Sequence, residues 1–392
     1  LDLHLGVIST DVGNEPSTGP FPANPTLGFF EGNNDCKSRA GDDGALQRLP
    51  CTARGLTGDG AQHCPRLCDA AGAATTQRLL GDGAFLRSAP FTAPSLTDLH
   101  TAFGCLALLG DTGCNLEGPL DATLRALQPG KNPGFLRSGT ALGVVYLAPE
   151  DDCSQDDAQR VGNDPASRAC TDPVSGDPFP CFNADTRCEI RALACGGDSL
   201  LTPGPRSGCG ARQNATLASV DRYAGALKAL RPDGRLQVTG LWDQSFSKEG
   251  VVVNGGALSL EYVAGQKNSN ALYHSAACTL QVLPTSQLFG AAQLRLSSFA
   301  AQIPSHRELD LCSADSFTSG LAQSADDLAR KAVLCLSSPP LVGEGQIACI
   351  VGDIEPARTD LPTGRFGQCG SPCCDAVAAA AVPLPGDPAI VS

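Results

Sequence analysis

Apolar residues at Leu3, Leu5, Val7 and Ile8 open the chain in a run of high β propensity and predict a strand over 3–10. From 11 to 95 the periodicity fades, and the stretch carries Cys36, Cys51, Cys64 and Cys68. A bare loop of that length is implausible in a folded protein, so a small hairpin clipped by disulfides is expected there. Periodicity returns at Leu96, Leu99, Phe103 and Leu106, spaced three and four apart behind Ser95 or Thr97 as N-cap, which predicts a helix over 97–109. Leu116, Leu120, Leu124 and Leu127 predict a second helix, closed by Pro129–Gly130. Ala141–Ala148 is continuously apolar, the pattern of a strand buried on both faces of a parallel sheet.

A second cysteine-rich stretch, 149–215, holds Cys153, Cys170, Cys181, Cys188, Cys195 and Cys209. Beyond it, Leu217, Val220, Tyr223, Leu227 and Leu230 predict a third helix capped by Thr216 and stopped at Arg231–Pro232. Leu236, Val238 and Leu241 continue into a strand that ends near Trp242. From 246 the pattern changes: Val251–Val253 and Leu258–Val263 read as strands, and 291–301 and 316–333 as helices. Alternating strands and helices make the fold class α/β with a mostly parallel, doubly wound sheet. The organisation expected is an α/β domain over 1–245 with disulfide-rich insertions at 11–95 and 149–215. A smaller α+β module with a tail follows over 246–392.

Composition narrows the setting. Nineteen cysteines in 392 residues, with 44 glycines and 29 prolines, point to loop-rich connections stapled by disulfides and so to an extracellular or cell-surface protein. A net charge of −13 opposes a nucleic-acid partner, because phosphates repel such a surface. No apolar run approaches the length of a membrane span. Methionine is absent and Leu1–Gly6 has no signal-peptide features, while the chain opens inside a strand. Sequence upstream of Leu1 is therefore expected.

Candidate chemistry is sparse. His4, His63, His100, His274 and His306 are scattered without an HExxH or HxH pair, so a catalytic zinc is not expected. Glu150, Asp151, Asp152, Asp156 and Asp157 lack the spaced D-x-D-x-D-G loop of a calcium site. No GxSxG, Walker loop or complete GxGxxG occurs. The sequon Asn214–Thr216 is better read as part of a helix cap. Short spacings suggest the disulfides Cys36–Cys51, Cys64–Cys68, Cys105–Cys114 and Cys188–Cys195. The neighbours Cys373 and Cys374 should pair outward or across an interface, because bonding each other would distort the intervening peptide. The expectation is a non-enzyme. An enzyme reading would place its site near His274, His306, Glu308 and Asp310.

Several segments, taken in order, resemble the von Willebrand factor A-like proteins exported by myxobacteria and related bacteria. They include LDLHLGVISTDVG at 1–13, DDGALQR at 42–48, FLRSAPFT at 85–92 and LHTAFGCLALLGDTGCNLEGPLDATLRAL at 99–127. NPGFLR at 132–137, VVYLAPEDDCS at 144–154, the pair Cys188/Cys195, and SVDRYAGALKALRPDGRLQVTGLW at 219–242 continue the match. AAQLRLSSFAAQI at 291–303 and LDLCSADSFTSGLAQSADDLARKAVLCL at 309–336 look like the shared tail.

This resemblance implies a doubly wound sheet whose ligand crevice lies at the carboxyl ends of the strands. In such domains a DxSxS sequence, a loop Thr and a later Asp bind Mg²⁺, with a partner carboxylate completing the shell. The present chain departs at each ligand. DxSxS is absent, Cys114 stands near the loop Thr with Thr112 two residues away, and Pro149 replaces the later Asp. No metal or other cofactor is expected. Thr112, Asp151 and Asp152 are the fallback ligands for Mg or Ca.

The resemblance also implies a central strand between 3–10 and 141–148 that this chain does not contain. That strand is expected from an associated upstream piece, from a longer form of the chain, or from another chain by strand complementation. The function expected is a structural or adhesive subunit acting through protein–protein contacts, as a homo-oligomer or with a protein partner. Leu3, Leu5, Val7, Cys373 and Cys374 are its candidate interface. The first alternative is a metal-dependent adhesion module completed by upstream residues. The second is a secreted enzyme.

Overall fold

Three strands, two of them with apolar alternate residues, align side by side to form the centre of the fold. They are β3 (Leu142–Leu147), β4 (Leu236–Trp242) and β5 (His306–Asp310), in the order β5-β4-β3, all parallel. This computed structural model describes residues 3–12, 41–56, 58–88, 95–110, 117–154, 217–242, 293–311 and 313–332. It also describes residues 193–195 and 209–211, and short strands at 169–171, 178–180, 204–206, 258–262, 272–274, 278–283, 286–290, 342–343 and 346–347. The ladder registers Val144 with Val238 and Val238 with His306. Side chains on a strand alternate between faces. Leu142, Val144 and Tyr146 therefore share one face with Leu236, Val238 and Trp242, and all six join the main core.

Helices cover both faces, as an α/β layer requires. On the face just named lie α4 (Pro119–Ala126), α5 (Val220–Leu230) and α6 (Leu294–Ala300), contributing Leu120, Tyr223, Leu227, Leu296 and Phe299. The opposite face carries Gly143, Thr239 and Leu241, against which α7 (Ala314–Ala332) packs. Thr239 and Ser324 share a hydrogen bond, and Leu328 lies over Gly143. Gly240 is required because the Trp242 ring folds across it, leaving no space for a Cβ.

The strand at 306–310 crosses the expected domain division at 245/246, because β5 and α6–α7 build the same sheet and core as β3 and β4. Its sequence HRELD reads as surface, and only Leu309 is buried, as suits a strand at the sheet's edge. The strands at 258–262, 272–274 and 204–206 form a separate antiparallel sheet, and 278–283 pairs with 286–290. The second insertion contains the pairs 169–171 with 178–180 and 193–194 with 210–211.

The amino-terminal part differs from expectation. Strand β1 is short, Leu3–Leu5, and pairs antiparallel with β2 (Leu86–Ser88). Between them, the described residues form two helices, α1 (Gly58–Leu67) and α2 (Ala70–Leu80), and the hairpin expected within 11–95 is not found among them. Apart from Leu80 at the end of α2, their buried positions are small or sulfur-bearing, so they leave no leucine periodicity to read. Gly72 lies against the Cys105 sulfur, where a larger side chain would not fit. Asp69 caps α2 by accepting the Gly72 N–H at 2.7 Å. Helix α3 (Leu96–Ala107) starts at Ser95, whose hydroxyl accepts the Asp98 N–H. The Arg54 guanidinium closes its other end on the carbonyls of Leu106 and Leu108.

The disulfides follow this helical packing. Cys51 bonds Cys64, Cys68 bonds Cys105 and Cys195 bonds Cys209. The short-range pairings Cys36–Cys51, Cys64–Cys68, Cys105–Cys114 and Cys188–Cys195 are therefore corrected. Helix α1 directs Cys64 to the turn at Cys51, while the Cys68 that follows it meets α3. Cys153 is also disulfide-bonded. Cys36, Cys114, Cys188, Cys373 and Cys374 lie outside the described residues. α5 is capped by Ser219 accepting the Asp221 N–H, not by Thr216, which also lies outside them.

Candidate functional site

Two features sit around β3: the acidic loop beyond its carboxyl end, and its outer edge. The loop 148–154 leaves the sheet where two helices begin, so its carboxylates meet rows of helix N–H groups that have no partner within their own helix. The Asp151 carboxylate accepts N–H bonds from Arg295 at 2.8 Å and Leu296 at 3.0 Å, at the start of α6, and from Asp152 at 2.9 Å. Burial pushes its carboxyl up to about 6, against the lowering effect of those three donors. Asp152 turns to α4. Its Oδ1 accepts from the Leu120 N–H at 3.1 Å and the Ser154 hydroxyl at 2.6 Å. Its Oδ2 accepts from Ser154 N–H at 3.2 Å and Arg295 Nε at 2.7 Å.

Arg295 completes the arrangement. Its side chain is 1% exposed and that of Asp152 0%, and its Nη2 donates to the Ser154 and Ala218 carbonyls. Ser154 Oγ accepts the Asp121 N–H at 2.8 Å. The Asp121 carboxyl is pushed up by burial although Arg125 pairs with it at 2.6 Å. Arg125 also reaches Asp43, 2.6 Å away, which Lys131 binds at 2.5 Å. Burial alone would raise Asp43; the hydrogen bonds from Lys131 and Arg125 outweigh it and hold the carboxyl below its usual range.

This is a structural hub joining β3, α4, α5 and α6. Of the fallback metal ligands, Thr112 lies outside the described residues. Asp151 and Asp152 have their oxygens engaged by backbone N–H groups, the Ser154 hydroxyl and the Arg295 guanidinium. Among the described residues, no three His, Cys, Asp or Glu side chains cluster to hold an ion. Arg295 carried no signal in the sequence; a charged residue inside the apolar LRLSSFA of α6 is the feature that marks it.

Of the residues of the enzyme reading, His306, Glu308 and Asp310 all lie on β5. Glu308 accepts from Trp242 Nε1 at 2.9 Å and from the Ser297 hydroxyl at 2.7 Å. The His306 Nδ1–H donates to the Ile303 carbonyl at 2.6 Å, and its Nε2 stands 4.0 Å from Glu308. Asp310 closes β5, and the His274 side chain lies outside what is described.

Among the described residues, β3 has no partner strand on its outer edge. Leu142 N–H bonds to Arg235 and Ala148 N–H to Leu241, so the even residues of β3 point their backbone groups at β4. Gly143, Val145 and Leu147 point theirs outward, where no described strand pairs with them. Two of these side chains are also uncovered, Val145 at 58% and Leu147 at 61% exposure. The expectation of a strand buried on both faces is thus corrected, since α7 covers Gly143 but not the two residues beyond it. Of the expected interface residues, Leu5 and Val7 instead pack against Leu80, Leu86, Leu99 and Leu106, and Leu3 pairs with Ser88.

No protein-family model, curated protein or solved structure matches the chain. No described helix is long and apolar enough to cross a membrane.

Proposed function

We propose that this chain is a von Willebrand factor A-like subunit of an extracellular or cell-surface structure, non-enzymatic and acting through protein–protein contacts. The observation that carries the reading is the outer edge of β3, where the backbone of Gly143, Val145 and Leu147 meets no strand among the described residues and Val145 and Leu147 are exposed. A parallel sheet is normally enclosed on both faces and continued at its edges, so an edge of this kind asks for a partner. The engagement of Asp151 and Asp152 within the fold supports contact without a metal, and the disulfides support an oxidising compartment.

Material isolated from the producing cells without reductant tests the reading. Sizing should give a species larger than the 40.2 kDa chain that survives a chelator and falls to monomer with Val145→Lys. A monomer with nothing bound would count against it. Dissociation by the chelator would favour a metal-dependent adhesion module instead.

A further inference from the structure

The two disulfides of the amino-terminal part, Cys51–Cys64 and Cys68–Cys105, lie against each other. Their four cysteines pack into one buried cluster, bounded by Leu56, Ala73 and Leu108. The chain brings them there from separate elements. Cys51 opens the short helical turn Cys51–Ala53, Cys64 sits in α1, and Cys105 sits in the last turn of α3. Cys68 follows α1, and its N–H still donates to the Cys64 carbonyl at 2.8 Å, so the helical hydrogen bonding extends one residue past Leu67. Residues four apart in such a ladder share a face. Cys64 and Cys68 are therefore neighbours, although each is bonded elsewhere. Helix α2 closes over the cluster through Ala73 and through Gly72, which lies against the Cys105 sulfur.

A disulfide opens when a thiolate attacks one of its sulfurs and the other leaves as a new thiolate. Cys51 is the entry point. The turn that carries it is three residues long and exposes Thr52 and Ala53, whereas Cys68 and Cys105 are held among helices at 0% exposure. Attack by an external thiolate on the Cys51 sulfur leaves a mixed disulfide there and releases Cys64 as a thiolate. That thiolate is set free beside the second disulfide. Of its two sulfurs, Cys68 is the poorer target. Cβ atoms four apart on a helix are separated by about 5–6 Å, against the ~3.5–4.5 Å that a disulfide spans. Cys105 belongs to α3, which packs on α1, and no helical ladder fixes its separation from Cys64. Attack on Cys105 forms Cys64–Cys105 and breaks Cys68–Cys105, with Cys68 leaving as the thiolate. Both steps trade one disulfide for another, with no net oxidation or reduction.

We infer that these two disulfides act as one redox unit, in which a thiolate that opens Cys51–Cys64 drives exchange of Cys68–Cys105 for Cys64–Cys105. The effect is selective. The 51–53 turn and the start of α2 lose their covalent ties, while α1 becomes joined directly to α3.

The full, disulfide-bonded chain is treated with millimolar glutathione at pH 8, quenched with N-ethylmaleimide, and mapped by mass spectrometry of its peptides without reduction. The first molecules opened should carry glutathione on Cys51, maleimide on Cys68 and a Cys64–Cys105 bond, with Cys195–Cys209 intact. Maleimide on Cys64 beside an intact Cys68–Cys105 bond would overturn the inference, as would a cluster that stays closed. A Cys64–Cys68 bond would overturn the choice of Cys105 as target. Loss of Cys195–Cys209 in the same molecules marks general scrambling and would also overturn it. The variant Cys51→Ala starts the second exchange without glutathione. After a day at pH 8 at least about a third of its molecules should hold Cys64–Cys105 with Cys68 free. Cys68–Cys105 retained in all of them would contradict the inference. If that variant does not fold, the glutathione measurement on the unsubstituted chain decides alone.

Discussion

Breaking the ion pair between Asp152 and Arg295 should be among the most damaging single changes available in this protein. Both side chains are essentially without solvent, so removing one leaves a desolvated charge with no counter-ion. Such losses cost about 3–5 kcal/mol. Arg295→Met leaves the carboxylate three donors, from Leu120 and Ser154, which places its cost near the lower figure. Asp152→Asn leaves the guanidinium facing only the Ser154 and Ala218 carbonyls, and should cost at least as much. In the double variant neither charge remains, so part of the loss returns and the cycle should show a coupling of about 1.5 kcal/mol or more. Urea unfolding at pH 7 without reductant, followed by the fluorescence of the single, fully buried Trp242, measures all four proteins. Single losses under about 1 kcal/mol, or additive losses, would refute the assignment of this loop as a structural hub.

Three further outcomes follow from the same geometry. The folded-state carboxyl of Asp151 sits at about 6, above its unfolded value of 3.8, so its protonated form is favoured by folding. That contribution is fully present below about pH 4 and lost as pH rises through about 6. Wild type should lose about 1 kcal/mol per pH unit relative to Asp151→Asn across that window, and a constant difference between the two would contradict it. Replacing Cys68 and Cys105 with Ser opens a closure of 37 residues, expected to cost about 4 kcal/mol; the 13-residue closure of Cys51–Cys64 should cost about 3 kcal/mol. Chemical denaturation with thiol counting compares them, and the reverse order would contradict a loop-entropy origin. Glu308→Ala leaves the buried Trp242 N–H without its acceptor and should destabilise by about 1–3 kcal/mol, whereas Glu308→Gln should restore most of it.

The sheet was legible where burial was continuous. LQVTGLW is buried along its whole length, and the strand read there coincides with β4. The tyrosine–leucine face of α5 is equally direct, because it is presented to the core; the helix read at α3 is present, but of its spaced residues only Leu99 and Leu106 are buried, while Leu96 and Phe103 are exposed. The misses share a physical origin. Helices α1 and α2 bury cysteine, glycine and threonine with a single leucine, Leu80, at the end of α2, so no apolar periodicity revealed them. ALGVVYLA looks enclosed because its composition suits two buried faces, yet Val145 and Leu147 are open where the next strand and its covering helix would lie. β5 escaped the α/β domain because an edge strand tolerates charge. Asp151 and Asp152 stood out as acids, but their role depends on Arg295, 143 residues beyond Asp152, and no local pattern connects the two.

The account stands most directly on the backbone amides of Gly143, Val145 and Leu147. Hydrogen exchange should be measured on the protein as isolated from its producing cells and on the purified chain alone. Slow exchange of these three amides in the native material, and fast exchange in the isolated chain, is the result expected if the edge of β3 is where the protein meets its partner. Equally fast exchange in both, with Val144 and Tyr146 protected throughout by β4, would contradict that claim.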